Sequence, residues 1–313
     1  MPRDVGWEWD TTGWWVKPRN AREVMTMVGS IGVYSTGQQF AWRGMASADY
    51  PLISSLHRHV GGGESEVRSA ELEMIAEARQ WGLGTHPTGK VDDLQLLSDL
   101  QHYGVATRLI DVTSNPMTAL WFACQQPRDS AVAKSGLLIA INVTGWPRLS
   151  TVGDADGVYQ GQSGTRQGAR LDSALYSPHP FVVESASQND RLRAQEGFFI
   201  SGRIPVPNET PLPSGGALKR VTPFKSILIE HAPGIPTELR ERLIEPRGTG
   251  APRALPCVAM IIPAGVKSRL LKYLEGSYNR SARVLFPDYE GYRQFGSHAA
   301  RRVQPSPATD PSA

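Results

Sequence analysis

The sequence predicts an α+β fold, and three observations predict it. Amphipathic helical segments and short apolar strand-like runs follow one another in mixed order, not as regular βαβ units. No internal repeat is present. The longest apolar runs, residues 137–143 and 258–262, are strand-sized and far short of the roughly 20 residues that cross a bilayer. With 313 residues, 40% of them hydrophobic, the chain has enough apolar surface to bury a core.

The elements follow in order. Trp7, Trp9, Trp14 and Trp15 are half of the eight tryptophans, and they make residues 1–37 a Trp-rich arm with a first helix. Rings of this size are costly in water, so the arm is expected to pack back onto the body; docking of a partner or antitoxin is the alternative. Asn20 and Glu23 have the spacing of a helix-start pair, with a stop near Gly29. A short strand ends in Trp42-Arg43-Gly44. Gly61 to Gly63 precede a long helix with Val67, Leu72, Ile75 and Ala78 on one face, ending at Gly82. A second helix runs over residues 91–103, with Asp92 and Asp93 where the helix dipole favours acids.

Residues 108–112 are β-like. Thr113-Ser114-Asn115 can cap a helix, and Pro116 suits its first position. Residues 147–180 are rich in Gly and Ser and are expected to form a loop or insertion. Further strands are expected at 181–183, 198–204, 224–229 and 258–262, and helices at 237–243, 264–274 and 288–302. Residues 303–313, rich in Pro, Ser and Ala, are expected to be a disordered tail.

Charge is unevenly divided. Residues 38–125 carry six basic and ten acidic side chains, whereas residues 126–313 carry 23 basic and 16 acidic. The later portion could meet a polyanion, and a nucleic-acid partner would show itself by steep salt dependence. The start, Met1-Pro2-Arg3-Asp4, leads into Trp and acids instead of an apolar signal segment, so a soluble, cytoplasmic protein without a membrane partner is expected. Cys124 and Cys257 are too few for a disulfide framework or a Cys-based zinc site.

Three motifs carry little. Gly84 to Lys90 has phosphate-loop spacing, but Val91 replaces the hydroxyl residue needed for Mg²⁺, and no strand precedes the loop. His57 and His59 could face one side of a strand, yet no further ligand is spaced to complete a metal site; no metal is expected. Neither cysteine has a His and an acid nearby in sequence.

The informative stretch is residues 101–116, where a helix end, a strand and a helix start crowd polar groups together. A common cavity there would collect His102, Arg108, Asp111, Thr113 and Ser114. Histidine can donate to a ribose hydroxyl, and arginine or helix-start amides can hold a pyrophosphate. The same residues also make a sound helix cap with an Arg108–Asp111 ion pair, and residue types alone leave both open.

The run Gln101-His102-Tyr103-Gly104, then Thr107-Arg108-Leu109-Ile110-Asp111, then Thr113-Ser114-Asn115-Pro116 and Ala119-Leu120-Trp121-Phe122-Ala123 resembles the signature of the FRG domain family. The Phe-Arg-Gly tripeptide that names the family has its counterpart in Trp42-Arg43-Gly44, and Ala106 stands where the family usually has proline. Residues 51–58, the helix around 71–77, Gln195-Glu196-Gly197-Phe198-Phe199 and residues 285–288 extend the resemblance, so one FRG domain is expected over 38–302.

The resemblance implies an ADP-ribosyltransferase-like layout with a mixed, split β-sheet core flanked by helices. It also implies NAD as substrate and a macromolecular acceptor, in a bacterial or phage toxin or defence effector. Arg43, Ser114 and Gln195 or Glu196 would then be catalytic. Arg43, His102, Tyr103, Arg108, Asp111, Thr113 and Ser114 would bind NAD. The Gln-x-Gly-x-Phe element contains Gln195 but leaves the position of Glu196 variable, so Glu184 and Asp111 are the other candidate carboxylates. The alternative is a non-catalytic nucleic-acid- or protein-binding module on the same fold.

Overall fold

The two longest apolar runs of the chain pair with each other at the centre of a mixed sheet. The computed structural model describes residues 9, 14–86, 89–127, 130, 132–150, 169–185, 189–206, 220–231, 236–244, 255 and 257–296. Its strands are β1 (Trp15–Val16), β2 (Phe40–Met45), β3 (Thr85–His86), β4 (Gly89–Lys90), β5 (Ile110–Thr113) and β6 (Gly136–Asn142). They continue with β7 (Arg148–Ser150), β8 (Phe181–Glu184), β9 (Gly197–Ser201), β10 (Arg220–Phe224), β11 (Ile227–His231) and β12 (Cys257–Ile262). Eight strands form one sheet in the order β1-β12-β6-β2-β5-β9-β8-β7. The outermost pairs, β1 with β12 and β7 with β8, are parallel. The pairs between them are antiparallel.

Strands β6 and β12 are buried on both faces, which is why neither alternates polar with apolar residues. On one face Trp42, Leu138, Ala140, Val258 and Met260 pack with the helices Ala21–Tyr34, Pro116–Ala123 and Ala264–Tyr278. On the other, Ala41, Leu137, Ile139, Ala259 and Ile261 pack with Trp9 and the β10–β11 hairpin. A third cluster joins the helices Glu64–Gln80, Asp93–His102 and Ala169–Tyr176 to Phe181, Val183 and Phe199. The structure is therefore α+β, a mixed sheet flanked by helices. No described helix is long and apolar enough to cross a membrane.

The helix Pro116–Ala123 lies unusually close to the sheet. A Cβ at Gly44 would stand 1.7 Å from the Ala119 carbonyl oxygen, and one at Gly136 would stand 2.0 Å from that of Ala123. Glycine at these two positions is what lets a helix backbone rest directly on β2 and β6.

Several expectations change. The sheet is continuous rather than split, but its two halves are joined only weakly: β2 and β5 share the single registered pair Trp42–Thr113. The first helix starts as expected, with Asn20 Oδ1 accepting from Glu23 N at 3.0 Å, but runs past Gly29 because buried Ile31 extends its apolar stripe. Residues 224–229 are not one strand: the chain reverses at Lys225-Ser226 between β10 and β11. Residues 147–180 contain β7 and the helix Ala169–Tyr176, where the Gly and Ser content suggested only loop; residues 151–168 lie outside the described residues.

Trp9 and Trp14 are core residues, Trp9 with its ring 5.0 Å from that of Phe224, so these two are not offered to a partner. Trp7 lies outside the described residues. The last described helix is Tyr289–Phe295, and the expected extension beyond 296 and the tail at 303–313 also lie outside them.

Candidate functional site

Strands β2 and β5 diverge beyond the Trp42–Thr113 pair, and a side chain spans the gap. Arg43 Nη1 donates to the Asp111 carbonyl oxygen. A cavity of about 310 Å³ opens there. Its walls are Trp42, Arg43 and Gly44 from β2, Asp111, Val112 and Thr113 from β5, and Gln101 and His102 from the end of the helix Asp93–His102. Thr118, Ala119 and Phe122 from the helix Pro116–Ala123, with Arg191, Leu192, Gln195, Phe199 and Phe286, also line it.

Burial holds the Arg43 guanidinium below the usual arginine range; Asp111 opposes that shift and Arg58 adds to it. Arginine nonetheless remains protonated. Its Nε is covered from solvent and has no hydrogen-bond partner among the described residues, and the same is true of Thr118 Oγ1. The Asp111 carboxylate accepts from Gln101 Nε2 at 2.8 Å, and Gln101 Oε1 accepts from Thr107 Oγ1 at 2.8 Å. Burial also pulls the His102 imidazole below its ordinary value, as does nearby Arg191, so the ring is neutral near pH 7. Arg191 grips Asp288 with two hydrogen bonds of 2.8 Å and lies 5.2 Å from the centre of the Phe286 ring. Those hydrogen bonds are the main reason the Asp288 carboxyl sits below its usual range.

The second feature is a turn after the helix Asp190–Ala194. Glu196 is in the left-handed region at φ 49°, an uncommon conformation for a residue with a side chain. It is held from several sides. Thr113 Oγ1 donates to the Gln195 carbonyl at 2.7 Å and Ser114 N to the Glu196 carbonyl at 3.0 Å. Gln195 Nε2 donates to the Leu285 carbonyl at 2.9 Å. The Glu196 carboxylate accepts from Asn115 Nδ2 at 2.9 Å and Arg280 Nη2 at 2.8 Å. Glu196 borders a broader depression of about 880 Å³ with Ser114, Gln39, Phe40, Arg148, Glu184 and Phe198; Trp42 lines both spaces.

The expected site residues therefore divide. Arg43, His102, Asp111, Thr113 and Gln195 line the cavity. Ser114 and Glu196 face the second depression, along with Glu184, which is ion-paired with Arg148. The Thr113-Ser114 junction and the Gln195-Glu196 turn are in direct contact. Tyr103 is 83% exposed, stacks edge-on against His102 and does not line the cavity.

Arg108 is a correction. Its side chain is buried, with Nε donating to Glu71 at 2.7 Å and Nη2 to Glu64 at 3.1 Å. Burial alone would lower its pKa, but the two carboxylates more than offset this and raise it. It is committed to the helix Glu64–Gln80, so the expected Arg108–Asp111 pair does not form. The helix-start amides are committed too, since Asn115 Oδ1 accepts from Met117 N at 2.9 Å and Thr118 N at 3.4 Å. His57 is a helix residue, not a strand residue, and its ring contacts Ser226 Oγ at 2.9 Å and the Gly62 carbonyl at 3.2 Å. Both cysteines are buried, with thiols pushed up by burial to about 12, which makes them poor nucleophiles.

Residue types and spacing did not single out Thr118, Arg191, Phe286, Asp288 or Arg280. Thr118 lies inside the motif run 101–123, and residues 285–288 stood out as a late matching element. The Arg191–Asp288 pairing spans 97 residues and leaves no local signal.

Compared with known proteins, residues 38–131 match the family model of the FRG domain. That match contains Arg43, the whole run 101–123 and Thr118, and stops before Gln195-Glu196. No curated protein and no solved structure matches the chain.

Proposed function

We propose that this chain, a member of the FRG domain family, is an NAD-dependent ADP-ribosyltransferase-like enzyme acting on a macromolecular acceptor. One observation carries the proposal: the Thr113-Ser114 junction grips the Gln195-Glu196 turn beside the cavity that holds Arg43. The weak join between β2 and β5 supports an ADP-ribosyltransferase-like architecture, because it opens the sheet where a nucleotide would enter.

NAD would supply the glycosidic bond to be transferred. Arg43 would hold its phosphates, and neutral His102 would bond a ribose hydroxyl. Thr113 orients the turn through the Gln195 carbonyl. Gln195 is itself fixed by the Leu285 carbonyl, so its amide is a positioning group. Glu196 would stabilise positive charge developing at the ribose carbon as nicotinamide departs.

A second reading, a binding module without chemistry, is favoured by the Glu196 carboxylate. It is already engaged by Asn115 and Arg280 and lines the other depression. Incubation with NAD⁺ labelled on the adenylate side, following nicotinamide release and label transfer, separates the two readings. Transfer that disappears in Arg43→Ala and Glu196→Gln supports the enzyme. Tight NAD⁺ binding without release supports the module, and absence of binding removes NAD from both.

A further inference from the structure

Residues opposite one another on paired strands project to the same side of a sheet, as do alternate residues along one strand. Trp42 is opposite Thr113, and Asp111 is opposite Phe199, so these four form one floor of the cavity. The helix Pro116–Ala123 covers that side, since Trp42 packs in one cluster with Ala119 and Leu120. Arg43, the next residue on β2, projects from the other side and is not part of this floor. Facing the floor are three half-buried side chains from segments distant in sequence: Phe122, Arg191 and Phe286. The Phe122 and Phe286 rings meet at 5.9 Å and 77°, an edge-to-face corner. Arg191 lies over Phe286, 5.2 Å from the ring centre. Its Nε and Nη2 each bond Asp288 at 2.8 Å, whereas Nη1 is neither bonded to a described residue nor covered from solvent.

We infer that this corner is a subsite for a planar nitrogen heteroaromatic ring, with Phe122 and Phe286 against the ring and Arg191 Nη1 donating to an acceptor on its edge. A phosphate fits the corner poorly. Asp288 already balances the charge of Arg191, and Asp111 places a carboxylate on the floor. His102, also on the cavity wall, is neutral near pH 7. Adenine and nicotinamide both present a flat ring with an acceptor on its edge. The cavity, about 310 Å³, is at the small end of the roughly 300–1,000 Å³ range of ligand sites, so it takes one such ring and not a whole dinucleotide. Assigning the ring to NAD⁺ rests on the proposed function; the ring subsite and the role of Arg191 do not.

The test uses the full chain and two variants. Arg191→Lys keeps a cation for Asp288 but removes the flat donor fork, and Phe122→Leu keeps apolar volume but removes the corner. Adenosine, nicotinamide and inorganic phosphate are titrated separately by calorimetry, with melting temperatures to confirm folding. Adenosine or nicotinamide should bind wild type, and the one that binds names the end of the dinucleotide seated here. Arg191→Lys should weaken it about tenfold or more, as expected for a lost hydrogen bond to a charged group, and Phe122→Leu several fold. Phosphate, if it binds, should bind all three proteins equally. Unchanged ring affinity in either folded variant overturns the subsite, as does binding of phosphate alone or of none of the three ligands. If Arg191→Lys fails to fold, Phe122→Leu decides. If a ring binds in this way but NAD⁺ is neither bound nor cleaved, the subsite stands and the NAD reading falls. If NAD⁺ binds wild type and both variants equally, the NAD reading stands and the subsite falls.

Discussion

Arg108 lies just before β5 and Arg43 bonds a carbonyl within it, and the protein treats them in opposite ways. Arg108 is matched by Glu71, which is fully buried, by Glu64, and by the Gly202 carbonyl. Arg43 has one backbone carbonyl, a covered Nε without a partner, and a cavity beside it. Arg108 is buried and Arg43 half-buried with its Nε covered, and completeness of pairing separates them further. A buried cation with its carboxylates in place is scaffold, and removing one partner is costly. A buried cation short of acceptors next to open space is where a ligand gains most.

The largest expected effect tests the scaffold side of this contrast. Arg108→Ala leaves buried Glu71 with Arg68 alone, and urea unfolding should show a loss of about 3–5 kcal/mol. A loss under about 1 kcal/mol would erase the distinction between the two arginines. Next is Gly44→Ala. The new methyl would meet the Ala119 carbonyl, which is backbone and cannot swing aside, so about 1–3 kcal/mol should be lost together with nucleotide affinity. Stability near wild type would show that the helix can move off β2.

Arg43→Ala should change stability by no more than about 1 kcal/mol, since the lost carbonyl bond is offset by removal of an under-bonded, desolvated charge. Binding of NAD⁺ should nevertheless be lost, and calorimetry with a parallel unfolding curve reads both.

The smallest effect is on pH dependence. His57, beside the Arg108 cluster, and His102, beside Arg43, both have pKa values lowered mainly by burial. The unfolded chain therefore takes up these protons first, near the ordinary value of about 6.5, and stability should fall as pH drops below it. Asp288 has the opposite shift: its contribution is present above the unfolded value of about 3.9 and is lost as pH falls through its lower folded value. Replacing His57 or His102 by Asn should each flatten part of the first decline in unfolding curves and leave the second in place. An unaltered first decline in both variants would assign it to other groups.

Much of the fold was legible because it depends on neighbours in sequence. The apolar runs became β6 and β12, Asn20 and Asn115 cap the helices expected after them, and Pro116 occupies a first helical turn. Misjudged elements share one cause, the override of a local signal by packing. Gly29 did not stop a helix whose stripe continues to Ile31, and residues 224–229 turn at Ser226, which accepts from Ser54 N. At the candidate site, part of the motif run lines the cavity, but residue types could not say which polar groups in it were already engaged.

By itself the sequence determined the inventory: an α+β chain, the strand-to-helix junction at residues 110–123, the Arg-Gly pair on β2, and the FRG resemblance. The first three follow from periodicity, capping chemistry or residue spacing, all of which act over a few positions, and the resemblance rests on the motif run at 101–123. Tertiary structure decided which members of that inventory are available. Glu71 reaches Arg108 across 37 residues, Asp288 reaches Arg191 across 97, and Thr113 reaches Gln195 across 82. Whether a buried polar group has a partner depends on chain segments brought together only by folding. Arg43 and Thr118 are singled out by the bonds they lack, which no local pattern in the sequence records.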